Sequence, residues 1–244
     1  MPDTRQQQGT VSGPGRPPRA PGPVTAAQIL RGLVPLLLLA ALLAESRFAA
    51  REQLLATARD RYGAETASRV AQWQDLLDAM AGKPVPDQLD GVNRFFNLQL
   101  SWREDRAIWG REDYWATPME AFSRGAADCE DFSIAKYVSL LELGVPVEAL
   151  RITYVRARPV GGGESRAHMV LAYYPRPGAE PLILDNLAAY VLPASRRTDL
   201  TPVFGFNTAG IWVGDGAAPA SRDPTARLSR WRDLLQRMRE EGLH

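Results

Sequence analysis

Cys129 is the only cysteine of the 244-residue chain, and its two histidines are His168 and the final residue, His244. A disulfide framework, a cysteine-based zinc site and an iron–sulfur cluster are therefore excluded. The fold must rest on an apolar core, and with 45% hydrophobic residues a sizeable one is available. Any cysteine–histidine chemistry must pair Cys129 with His168. The formal net charge of +1 lacks the basic excess of a typical nucleic-acid binder.

The N-terminus is set apart by composition. Residues 1–28 hold six Pro and four Gly without apolar periodicity, the signature of a disordered leader. Within residues 29–44, Arg31 precedes the apolar run Leu33–Ala44. These twelve residues match the core of a signal peptide and fall short of the roughly 20 that span a bilayer. No clean A-x-A site follows, so an uncleaved N-terminal signal anchor is the alternative, with Arg5, Arg16, Arg19 and Arg31 on the cytoplasmic side. Setting aside residues 1–44, with four Arg and one Asp, leaves 25 basic and 27 acidic residues, a charge of −2. Residues 45–244 are expected to be exported as one domain, and a lone cysteine suits an oxidising compartment.

The first half of that domain reads as helical. Val70, Trp73, Leu77 and Met80 recur at helical spacing up to Gly82-Lys83-Pro84. From Asp87 onward, Leu89, Val92, Phe96 and Leu100 share a face, and Thr117-Pro118 is an N-cap and N1 pair for a short helix ending at Gly125. Phe132–Leu143 forms a further helix, with Phe132, Ala135, Val138 and Leu141 or Leu140 inward and Gly144 at its end. The period then changes to that of strands at Leu150–Val155, His168–Tyr174 and Pro181–Leu184. A last helix from Asp223-Pro224 carries Leu228, Trp231, Leu235 and Met238. Short turns between strands imply an α+β domain, an antiparallel sheet with helices packed on one side.

Chemistry concentrates at Asp128-Cys129-Glu130-Asp131, His168 and Asp185. Cys129 falls at a helix N-terminus, where unpaired N–H groups and the helix dipole favour a thiolate. His168 opens one strand and Asp185 closes the next, so the two can meet. Asp185 would then orient the imidazole that activates the thiol. The order Cys, His, Asp excludes the caspase arrangement. A lone cysteine as a small buried hydrophobe and a lone histidine as a satisfied core group are the plain alternatives. Three carboxylates within four residues form an oxygen-rich set suited to a hard cation, or equally an acidic helix start that needs none. Carboxylates beside the sulfur oppose thiolate formation, a penalty that a bound divalent cation removes.

The stretches Trp109–Pro118 and Gly125–Phe132, with Ala167–Leu171, Leu182–Leu187 and Phe206 to Trp212, together resemble the bacterial transglutaminase-like cysteine proteinases, in particular their LapG-type periplasmic members. The resemblance covers roughly residues 60–215. It implies a papain/transglutaminase-like fold and a Cys129–His168–Asp185 triad. It further implies cleavage of a large biofilm adhesin near its N-terminus, beside a di-alanine motif. Calcium held by Asp128 and Glu130 is implied too, with the place of Asp131 open. An inner-membrane cyclic-di-GMP receptor would sequester the protease, for which Trp212, in a Gly-rich stretch, is a candidate exposed anchor or else a core residue. The Cys129 N–H is expected in the oxyanion hole. A transglutaminase or amidase on the same triad, an arylamine acetyltransferase, and a catalytically silent binding module are the competing readings.

Overall fold

Helical periodicity translates into packed helices in the computed structural model, which describes residues 45–159, 161–214, 216, 218–221, 223–224 and 228–243. The expected leader and signal segment, residues 1–44, lie outside the described residues. The chain divides into Met1–Arg47 and Phe48–His244. Of the first unit, residues 45–47 are described, as helix.

Helix α1 occupies 48–62. α2 (Ala64–Met80) buries Val70 and Trp73, and α3 (Val85–Gln99) buries Leu89, Val92 and Phe96, as their spacing predicts. α3 starts two residues before the expected Asp87, because Pro84 caps it and a proline suits its first turn. Strand β1 (Ser101–Trp102) and the short helix α4 (Asp105–Trp109) follow. In α5 (Pro118–Arg124) the Thr117 hydroxyl accepts from the Glu120 N–H while the Glu120 carboxylate accepts from the Thr117 N–H, a full capping box. Gly125 ends α5 at φ +61°, a left-handed geometry that glycine adopts without a Cβ penalty. β2 (Ala126–Ala127) pairs in parallel with β1.

Helix α6 (Cys129–Glu142) runs through the middle of the domain and is buried nearly all round. Leu140, fully buried, takes the inward position left open between Leu140 and Leu141. α6 packs on β3 (Leu150–Ala157) and β4 (Arg166–Tyr173), the two longest strands. With β5 (Leu182–Leu184), β6 (Leu192–Pro193), β7 (Leu200–Phe206) and β8 (Ile211–Val213) they form one antiparallel sheet in the order β6-β5-β4-β3-β7-β8. Three of these strands escape the sequence pattern. β6 is two residues long at the sheet edge, where Pro193 is tolerated. β7 contains Pro202 and Gly205, and Pro202 follows a register shift against Tyr154/Val155, where a missing N–H does least harm. β8 has three residues.

The helix-side core joins Trp115, Tyr137, Phe206 and Trp231, with ring centroids 5.3–6.5 Å apart. The last helix, α7 (Ser229–Glu240), supplies Trp231, Leu234 and Met238, so Leu234 rather than the expected Leu235 faces fully inward. The opposite sheet face carries a smaller cluster of Val155, Val170, Ala172, Tyr174 and Ile183. Among the described residues no helix is long and apolar enough to cross a membrane. The architecture is the expected α+β fold, with the N-terminal helices on an antiparallel sheet.

Candidate active site

The chain reaches Cys129 through a tightly defined path. Gly125 turns out of α5, β2 is pinned to β1, and Asp128 caps α6 by accepting from the Asp131 N–H at 3.4 Å. Cys129 is thus the first residue of α6, half-buried, with its thiol donating to Glu130 Oε2 at 3.0 Å. The sulfur also takes a backbone hydrogen bond from Met169, the residue after His168. Burial, then the charges of Glu130 and Asp128, push the thiol well above its ordinary range. The helix dipole alone favours the thiolate, but here the flanking acids and burial outweigh it.

His168 and Asp185 meet as their strand positions predict. His168, third residue of β4, is 7% exposed, and Asp185, just past β5, is 1% exposed. His168 Nε2 lies 2.8 Å from Asp185 Oδ1. The same oxygen accepts from the Leu187 N–H at 3.0 Å, and Oδ2 accepts from Arg197 Nη2 at 2.7 Å. Burial works against the charged carboxylate, yet His168, Leu187 and Arg197 together hold it down at about 2. The backbone is fixed as well. Asn97 Nδ2 donates to the carbonyls of Asp185 at 2.9 Å and Ala188 at 3.1 Å. Behind it, the fully buried Lys136 donates to Asn93 Oδ1 at 2.8 Å, and burial lowers its ammonium to about 7. No sequence spacing pointed to Asn93, Asn97, Lys136 or Arg197, since tertiary folding alone brings them to Asp185.

Asp128 and Glu130 both belong to an acidic cluster, which is larger than their local sequence shows. Carboxylate oxygens of Asp105, Asp113 and Glu130 lie within 4.8 Å of one another, as do those of Asp105, Asp128 and Asp131. Asp105 arrives from α4, and its Oδ2 accepts from the Tyr114 N–H. Asp131 spends one oxygen on the Ala116 N–H at 2.6 Å. Asp105 Oδ1, Asp113 Oδ1 and Asp131 Oδ2 are buried without a hydrogen-bond partner. Burial and mutual repulsion raise Asp105 to about 6 and Asp128 to about 11, and push Asp131 up as well. Orphaned oxygens, crowded like charges and a purely oxygen donor set fit a hard divalent cation. Asp105 and Asp113 were absent from the sequence-based ligand set, because neither falls within the acidic tetrapeptide.

Trp212, the candidate exposed anchor, is buried. The residue is 6% exposed, and its ring centre lies 4.4 Å from the Arg151 guanidinium carbon, which is also 4.1 Å from the Tyr174 ring centre. Alternation along β8 puts Trp212 on the sheet face of Thr153 and Val170, where Arg151 covers it, while Val213 on the other face is 68% exposed, so Trp212 is a packing residue and not an exposed anchor.

Comparison with known proteins agrees with this geometry. The family model of the bacterial transglutaminase-like cysteine proteinases matches residues 60–201. A search of curated proteins found no match. Solved structures of Legionella pneumophila LapG are 40% identical, covering 77% of this chain and 97% of theirs with a TM-score of 0.65. The calcium-bound and EGTA-treated forms of that protein match at the same identity with a TM-score of 0.66. The chain belongs to the bacterial transglutaminase-like cysteine proteinase family, and with its single cysteine at the head of α6 it is a cysteine proteinase.

Proposed function

We propose that this protein is a calcium-dependent periplasmic endopeptidase that cleaves a large surface adhesin near its N-terminus and so releases it from the cell. The observation that carries the reading is the His168–Asp185 pair at 2.8 Å, with the lone thiol bonded to the backbone of Met169, the residue after His168, and to Glu130 of the acidic cluster. Cys129 attacks the scissile carbonyl while His168 takes the thiol proton, and His168 later gives that proton to the leaving amine. Asp185 occupies Nε2 of the imidazole, which leaves Nδ1 as the nitrogen that serves the sulfur. The backbone N–H of Cys129, at the start of α6, is one donor to the oxyanion.

Asp105, Asp113, Asp128, Glu130 and Asp131 would hold the calcium. Bound there, the ion supplies the positive charge that offsets carboxylate repulsion beside the thiol. The LapG solved as a calcium-bound form supports this assignment. The resemblance to LapG-type proteases supports two partners, the adhesin as substrate and an inner-membrane cyclic-di-GMP receptor as the sequestering regulator. The apolar run at 33–44 supports export to the periplasm, with either release or tethering at the inner membrane.

The test incubates the purified protein with the N-terminal segment of a giant adhesin from the same genome, in calcium, in chelator, and as Cys129→Ala. A single cut in calcium, lost in both controls, is the expected result. Cleavage that survives chelation removes the calcium assignment. Binding without cleavage in any condition replaces the protease with a silent binding module.

A further inference from the structure

Asp185 is held far more firmly than an orienting carboxylate requires for charge balance with one imidazole. Its second oxygen is taken by Arg197, which lies 8% exposed in the segment between β6 and β7. Arg197 is itself oriented. Its Nε and Nη2 grip Asp199 in a two-pronged pair at 3.0 and 2.8 Å, and its backbone N–H donates to the Ala194 carbonyl at 2.9 Å. Nη1 is buried with no hydrogen-bond partner, so the guanidinium is not placed to satisfy all its donors. Its bonded edges serve Asp199 on one side and Asp185 on the other.

We propose that Arg197 is a positioning residue for the triad: anchored by Asp199, it fixes the rotation of the Asp185 carboxylate so that Oδ1 stays on His168 Nε2. The inference rests on the triad reading given above. Arg197 does not touch the reacting atoms and acts through Asp185. A carboxylate bound through one oxygen alone can turn about its side-chain torsion and lose the imidazole. The charged groups facing Asp185 are His168 from β4, Arg197 with Asp199 from the segment before β7, and Lys136 from α6. Lys136 is bonded to Asn93 and so acts on the backbone side of the site. Arg197 is therefore the group that reaches the carboxylate opposite the imidazole.

The lone cysteine supplies a readout that needs no substrate, the rate of Cys129 alkylation by iodoacetamide at fixed pH in calcium. Arg197→Met, Arg197→Lys, Asp199→Asn, His168→Ala and Asp185→Ala are compared in the full-length protein. Circular dichroism checks folding. Arg197→Met is expected to slow alkylation about tenfold and to lower kcat on the adhesin segment by a similar factor, with KM unchanged within about twofold. Arg197→Lys restores most of the rate, because one ammonium still reaches Oδ2. In nitrogen-labelled histidine spectra the His168 Nε2–H signal, protected in the native protein, exchanges faster in Arg197→Met. A folded Arg197→Met with native alkylation, native kcat and a protected Nε2–H overturns the proposal. If Arg197→Met does not fold, Asp199→Asn decides: an unchanged alkylation rate and Nε2–H overturn it, and a slowed rate with faster exchange supports it. If His168→Ala and Asp185→Ala also leave alkylation unchanged, the triad itself falls, and the role of Arg197 with it.

Discussion

Calcium should act on the stability of this protein with a slope that its geometry sets. Asp105 is shared between both carboxylate groups of the acidic cluster, so the two describe one locus rather than two separate sites. One ion per chain then raises stability by about 1.4 kcal/mol for each tenfold rise of free calcium above its dissociation constant. For a domain of this size that is a rise of roughly 3–5 °C in Tm per decade. Two independent ions would double the slope. The metal-free protein carries the opposite burden. Two charged carboxylates with oxygens within 4.8 Å of each other repel by at least about 3 kcal/mol at an effective dielectric of 20. Asp105→Asn removes one of those charges. It should make the chelated protein more stable than the native one at pH 8 and abolish the calcium slope, so the two melting curves cross as calcium is added. Differential scanning fluorimetry against buffered free calcium measures both effects. A flat native curve, or an Asp105→Asn curve parallel to the native one, refutes the reasoning.

Glu130→Gln removes the charge 3.0 Å from the sulfur, which even at the dielectric of water disfavours the thiolate by about 1.4 kcal/mol, so alkylation of Cys129 in chelator should quicken about tenfold. An unchanged or slower rate counts against the thiol–Glu130 contact. Glu241 is 1% exposed, and burial raises its carboxyl from 4.5 to about 7 despite hydrogen bonds from Tyr62 and Thr117. A raised acid favours the protonated native state, so up to about 3 kcal/mol of stability present below pH 4.5 is lost as pH rises through 7. Glu241→Gln should flatten that loss, and a native unfolding free energy from urea titration that is equal at pH 5 and 8 would contradict the assignment. Trp231→Ala empties the centre of the aromatic cluster and should cost about 3–5 kcal/mol in chemical unfolding. A cost below about 1 kcal/mol would mean that α7 does not close the core.

Where structure follows local rules, the sequence was readable. The stripes Val70/Trp73 and Leu89/Val92/Phe96 are buried as their period requires, and the Thr117-Pro118 start and Gly125 stop of α5 appear as a capping box and a left-handed glycine. α6 is different, because a helix buried all round has no preferred face, and the choice between Leu140 and Leu141 waited on its neighbours. β6, β7 and β8 were hidden by proline, glycine and brevity, and their pairing is a tertiary effect. At the site, residue type and order pointed to Cys129, His168 and Asp185. Asp105 enters the cluster from 23 residues before Asp128 in sequence, on a five-residue helix without periodicity. Trp212 misled because glycines around an aromatic suggest exposure, whereas strand alternation and Arg151 bury it.

Asp185 does two things at once, and they can be separated. β5 pairs with β4 only from Leu171 to Tyr173, so β4 carries no β5 partner at His168 and Met169. That free stretch is where the Met169 N–H meets the sulfur. What stops β5 from pairing further is the chain turn at Asp185, whose Oδ1 accepts from the N–H two residues on, at Leu187, as an Asx turn does. The same oxygen holds His168 Nε2. One side chain therefore ends the strand, which opens the edge where the thiol sits, and holds the imidazole. Asp185→Asn keeps an oxygen acceptor for the turn but loses the charge that pairs with an imidazolium and with Arg197. It should fold with Tm near native while kcat falls by about 10⁴, the scale of the equivalent change in a serine protease triad. Asp185→Ala loses the turn too and should also lower Tm. Equal melting of the two variants would show that the turn does not depend on the carboxylate. Near-native kcat in Asp185→Asn would show that His168 needs no charged partner.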